Sequence, residues 1–194
     1  MQKLALALTV SLICLGCRVR IYKARAQHSQ AAKPQPILTT SLKAAIEEVK
    51  TMKVKIERDG GINLKEYDED LTDLKNVIHK VYGDPKTVAD VKSVLEGHQL
   101  ALQFSKCDRM DGYDDMLQCR DNVLKKLFVK YPEFAAAVKE AIAGEELSYI
   151  SAGLDKDAVL QAIWQETAKD TDSLLIEVNI AWNPPNIEES QTEN

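Results

Sequence analysis

Glycine is scarce in this chain, eight in 194 residues, which argues against folds built on many tight turns and glycine-rich phosphate loops. Proline adds only six, so collagen-like and low-complexity readings fall as well. No G-x-S-x-G elbow, no Walker A loop and no H-E-x-x-H pair occurs. The three histidines, His28, His79 and His98, lie on separate segments without metal-ligand spacing. Basic charge is also short beyond the first residues. Five of the 25 Lys and Arg fall within residues 1–26, which leaves 30 acidic against 20 basic side chains in the rest. A body that acidic lacks the basic footprint that nucleic-acid binding requires.

The uneven charge marks out the N-terminus. Met1-Gln2-Lys3 precedes Leu4–Cys17, fourteen residues without a charge. That run is shorter than the ~20 apolar residues of a spanning helix, and it matches the apolar core of a secretory signal peptide. Ala24-Arg25-Ala26 before Gln27 fits the small-x-small cleavage pattern. Residues 1–26 therefore read as a signal peptide or N-terminal anchor. Leu15-Gly16-Cys17 resembles a bacterial lipobox, and the resemblance implies lipidation of Cys17, although Cys14 stands where that family usually has Leu. Cleavage after Ala26, lipidation at Cys17 and an uncleaved anchor are three readings of one segment. All three expect an exported protein of the bacterial periplasm or cell envelope, attached to membrane only through this segment or a lipid. Residues 27–40 carry Pro34 and Pro36 among Gln and Ser and read as a flexible linker. Residues 183–194 read as a disordered acidic tail.

Between linker and tail the apolar spacing is helical, with no sustained alternation of period two. Leu42, Ile46, Val49, Met52 and Ile56 line one face, with Thr40 or Ser41 as the expected cap. Asn63 caps a second stripe through Tyr67, Leu71, Leu74, Ile78 and Val81 that ends at Gly83. Asp84-Pro85 starts a third, with Val91, Leu95, His98 and Leu102 on one face. A fourth helix follows Gly112, a fifth starts at Pro132, and Asp155 caps a long last one through Ile163 and Leu174. The expectation is an all-α domain over residues 41–182, a single bundle of five to six amphipathic helices with mostly antiparallel neighbours.

Two cysteines lie outside the leader. Cys107 and Cys119 flank the turn between the third and fourth helices, where residues equally far from the turn face each other. Export would supply an oxidising compartment, so a disulfide is expected. Asp59-Gly60-Gly61-Ile62-Asn63-Leu64-Lys65-Glu66-Tyr67 resembles the second half of an EF-hand loop, in which a Gly turns the chain and a closing Glu binds calcium. The first half departs from that family: Lys55 takes the first ligand position and Glu57 the third. An ammonium there repels Ca²⁺, and no metal site is expected.

With no catalytic motif and no cofactor signature, the chain reads as a non-enzymatic binding or interaction module of the cell envelope. A carboxylate-dependent hydrolase or divalent-cation binder is the alternative. The expected contact site is the hairpin tip, where Asp108, Asp111, Asp114 and Asp115 surround Gly112 with Tyr113 at the apex. Asp111 or Asp114 could cap the fourth helix, which accounts for one or two of the four acids. The expected partner is a protein with a basic surface. Trp164 reads as core, with a partner groove beside it as the sharper alternative.

Overall fold

The computed structural model describes residues 38–59 and 62–182. The leader with Cys17, most of the linker and the tail lie outside them. Among the described residues six α-helices follow one another: α1 (Thr40–Asp59), α2 (Leu64–Ile78), α3 (Pro85–Lys106), α4 (Tyr113–Lys130), α5 (Pro132–Ala141) and α6 (Lys156–Trp182). Short 3₁₀ turns occupy Cys107–Arg109 and Ile150–Gly153, and there is no strand among the described residues. The chain is an all-α bundle.

Local chemistry explains most of the helix ends. Asn63 Oδ1 accepts the Lys65 N–H at 2.9 Å, and Asp84 Oδ2 accepts both the N–H and the hydroxyl of Thr87. Asp155 Oδ1 accepts the Ala158 N–H at 2.7 Å at the start of α6. Each satisfies a donor that the first helical turn leaves without a partner. Asn63→Ala is expected to lower the unfolding free energy by about 1 kcal/mol in a urea titration, with the m-value unchanged. Gly83, at φ 148°, turns the chain between α2 and α3 in a region that side chains disfavour.

Two expected caps move. At α1 the capping group is Thr39, whose hydroxyl accepts the Leu42 N–H at 3.2 Å, because Thr40 and Ser41 already lie in the first turn. At α4 the N-cap position is Gly112 and no side chain caps the helix. Asp114 and Asp115 instead sit in its first turn, where their charge complements the helix dipole.

Cross-helix pairs set the directions. Lys55 meets Asp70, Tyr67 meets His98, Lys106 meets Asp68, and Lys130 meets Ser93. Lys86 pairs with Glu177 across α3 and α6. In each of the pairs α1–α2, α2–α3, α3–α4 and α3–α6 the neighbours therefore run antiparallel. The centre of the bundle is α3, which packs against α1, α2, α4 and α6. Its burial exceeds the single face expected for it: Val94, Gly97, Leu100, Ala101 and Phe104 are buried together with Val91 and His98. A helix that is apolar on most sides belongs inside a bundle. No helix among the described residues is long and apolar enough to cross a membrane.

Candidate functional site

The α3–α4 end of the bundle is fixed by two independent ties. Cys107 and Cys119 form a disulfide with their Cα atoms 5.6 Å apart. Beside it, the Arg120 guanidinium grips one oxygen of Asp108, and Lys156 Nζ reaches the other at 3.0 Å. Arg120 is 9 % exposed and also lies over the Phe104 ring, 5.6 Å from its centroid. A buried guanidinium needs such a partner. Partial burial works against the Asp108 carboxylate, but hydrogen bonds from Arg120 and Lys156 outweigh it and hold its pKa below the usual range. One residue further along α4, Asp121 accepts the N–H groups of Ile150 and Ser151 at 3.0 and 2.8 Å. That ties the second 3₁₀ turn to the same helix.

The tip residues thus divide. Asp108 is exposed too, but its carboxylate is held by Arg120 and Lys156, so it is the hub that joins α4 and α6. Asp111, Tyr113, Asp114 and Asp115 are exposed, and Tyr113 shows 69 % of its surface. Met110 stands beside them at 47 % exposure. Arg109 is exposed there as well, so the outer tip sets three carboxylates against one guanidinium and is less acidic than the count of acids suggests. A shallow groove of about 460 Å³ runs alongside, lined by Met110, Asp115, Val123 and the two bridged cysteines.

The second polar cluster is buried. Tyr67 Oη lies 2.9 Å from His98 Nδ1 and 3.2 Å from the His98 carbonyl, and it accepts the Trp164 indole N–H at 3.2 Å. Both His98 and Trp164 meet the Tyr67 ring edge-on, with centroids about 6 Å apart. Burial pushes the His98 pKa down to about 3 and the Tyr67 phenol well above its usual range. Both groups are neutral across the physiological range. An imidazole that binds protons so weakly is a poor general base. Trp164 is a core residue, and recesses open on two sides of it.

The EF-hand-like segment does not form a loop at its start. Lys55, Glu57 and Asp59 all belong to α1. Lys55 Nζ bonds Asp70 at 2.8 Å and lies 3.6 Å from Glu66, the residue that would close the loop. Among the described residues, no group of three or more His, Cys, Asp or Glu side chains is placed to hold a metal ion. Sequence reasoning missed Arg120 and Lys156 because nothing local distinguishes them from other surface cations.

No family model, no curated protein and no solved structure matches the chain.

Proposed function

We propose that this chain is an exported, non-enzymatic binding module of the cell envelope that meets a protein partner through its hairpin tip. The observation that carries the reading is the pair Tyr113 and Met110, large side chains held out into solvent on a turn braced by a disulfide and by the Asp108 hub. Tyr and Met are enriched at protein interfaces. A braced tip loses little conformational entropy on docking. Asp111, Asp114 and Asp115 around them favour a partner with a basic surface and speed the encounter with it. Export rests on the basic start and apolar core of residues 1–17 and on the Ala24-Arg25-Ala26 pattern; the disulfide suits the oxidising compartment that export reaches.

The test places a photo-crosslinking residue at position 113 and, separately, at Val129, which is 84 % exposed further along α4. In envelopes of the native host, position 113 is expected to give one discrete adduct and position 129 none. Asp111→Asn with Asp115→Asn should lower the adduct yield by about tenfold, at roughly 0.5–1 kcal/mol per charge. Equal yields at both positions, or none at 113, would overturn the reading.

A further inference from the structure

We propose that the recess between α2, the α3–α4 turn and α6 is a binding site for a small apolar monoanion, a single ring or short hydrocarbon that carries one carboxylate, with Arg109 as its charged contact. Both α2 and α6 pack against α3 and run in the opposite direction to it, so their starts lie side by side at its C-terminal end with the recess between them. The recess measures about 280 Å³. A dry protein cavity of ~150 Å³ already accepts benzene, so this one has room for a ring and a short side arm.

The inner lining favours hydrocarbon. Ile62, Leu64 and Leu160 pack against the core yet are only half-buried, so each leaves apolar surface open to the recess. The buried Tyr67 and Trp164 lie behind them. The polar side-chain atoms on this side are already engaged. Tyr67 Oη meets His98 and accepts the Trp164 indole N–H, and the Ser105 hydroxyl donates to the Ala101 carbonyl at 3.1 Å. A ligand rich in hydroxyl or amide groups would find no side-chain partner there and would lose its hydrogen bonds to water.

The charged lining selects the sign. Asp108, Arg109, Lys156 and Asp157 complete the recess. Asp108 is held by Arg120 on one oxygen and by Lys156 on the other, and Asp157 lies 3.5 Å from Lys156. With Arg120 counted, three cations stand against two carboxylates. The cation left over is Arg109, which is exposed and, among the described residues, has no ion-pair partner, the acids of the tip included.

One surplus guanidinium beside an apolar recess suits one negative charge. A dianion would leave a charge uncompensated next to Asp108 and Asp157, and a cation would face Arg109 directly. The guanidinium fork matches a carboxylate through two parallel hydrogen bonds. The apolar walls then contribute burial while Arg109 sets orientation, the usual division in small-molecule sites. The proposal does not rest on the hairpin tip meeting a protein partner, because ligand binding is read on the isolated chain.

The test titrates the full chain with phenylacetate, with phenylacetamide, which keeps the ring without the charge, and with acetate, which keeps the charge without the ring. Phenylacetate is expected to saturate one site about tenfold more tightly than phenylacetamide, the worth of a hydrogen bond between charged groups. Acetate should bind about tenfold more weakly than phenylacetate, since it buries no ring. The ¹⁵N shift of Arg109 Nε should move with phenylacetate and stay still with the amide, while the Leu160 methyl signals move with both. Arg109→Gln should bring phenylacetate down to the amide level, and Leu160→Trp should fill the recess and abolish binding of both. Equal affinity for acid and amide, acetate binding as tightly as phenylacetate, an Arg109 signal that ignores phenylacetate, or full binding in Leu160→Trp would each overturn the proposal. The Arg109 and Leu160 signals are read on the unaltered chain, so they decide the matter even where a variant fails to fold.

Discussion

Acidification from about pH 6 to about pH 4.5 is expected to destabilise the wild-type fold by about 1.4 kcal/mol per pH unit, and His98→Phe is expected to flatten that slope. Burial holds the folded His98 pKa near 3, whereas an unfolded histidine titrates at about 6.5. Above the unfolded value neither state binds the proton, and the contribution of neutral His98 is fully present. Below it the unfolded chain gains a proton that the folded chain refuses, so stability falls steadily until the pH reaches the folded value. The groups facing the ring do nothing to relieve this. Tyr67 stays protonated, Trp164 is neutral, and Lys53, which lines one recess beside Trp164, is paired with Glu57 and Asp172. Asp108 acts lower on the scale. Its depressed pKa adds stability above the usual carboxylate value of about 3.9, and this is lost only as the pH falls below that value. Asp84, whose hydrogen bonds from Thr87 hold its carboxyl low as well, acts in the same lower range, so His98 dominates the slope between about pH 6 and 4.5. Urea denaturation at several pH values, run on wild type and His98→Phe, reads the two slopes. Parallel profiles would mean that His98 is not buried as a neutral ring.

What the sequence made legible is what local chemistry decides. Asn63, Asp84 with Pro85, and Asp155 cap helices through donors two or three residues away, and those distances are encoded in the chain itself. The Cys107–Cys119 bridge was readable for the same reason, since a short turn between antiparallel helices brings its flanks together. The Thr39 and Gly112 caps show the limit of such reading, because neighbouring Thr, Ser and Asp residues compete for one position and only the first turn's geometry chooses.

Contacts between distant segments were not legible. Tyr67, His98 and Trp164 each fell on an expected apolar stripe, yet their hydrogen bonds span 31 and 97 residues. A stripe says that a side chain turns inward, not which polar atom it meets there. Arg120 and Lys156 look like ordinary helix-surface cations in sequence, and the arrival of α6 beside the α3–α4 turn converts Asp108 into their shared anchor. One of the four tip carboxylates, Asp108, is thereby tied to Arg120 and Lys156, although it stays exposed. The central position of α3 was hidden for a related reason. Its single readable stripe was real, but residues 99–104 add apolar side chains on other faces, and only the surrounding helices reveal that those faces are covered.

Gly97→Ala is expected to cost about 2 kcal/mol, against the usual direction for this exchange. Within a helix, alanine is ordinarily favoured over glycine by about 1 kcal/mol. A Cβ at position 97, however, would stand 2.5 Å from Tyr131 Oη, 2.6 Å from Thr167 Oγ1 and 3.1 Å from Thr167 Cγ2. Neither neighbour yields easily. Thr167 is completely buried and β-branched, and its hydroxyl bonds the Ile163 carbonyl at 2.8 Å. Tyr131 Oη bonds Asp170 at 3.2 Å and lies 3.3 Å from Thr167 Oγ1. The added methyl must either separate α3 from α6 or break this polar cluster, and overpacking of that kind costs about 1–3 kcal/mol. The mechanism can be isolated in a mutant cycle. Thr167→Ala and Tyr131→Phe together remove all three offending atoms, so Gly97→Ala made in that background should recover alanine's ordinary helix advantage. The sign of the Gly97→Ala effect should therefore reverse between the two backgrounds. A melting temperature raised by Gly97→Ala alone would show that α3 and α6 do not approach each other closely at this point.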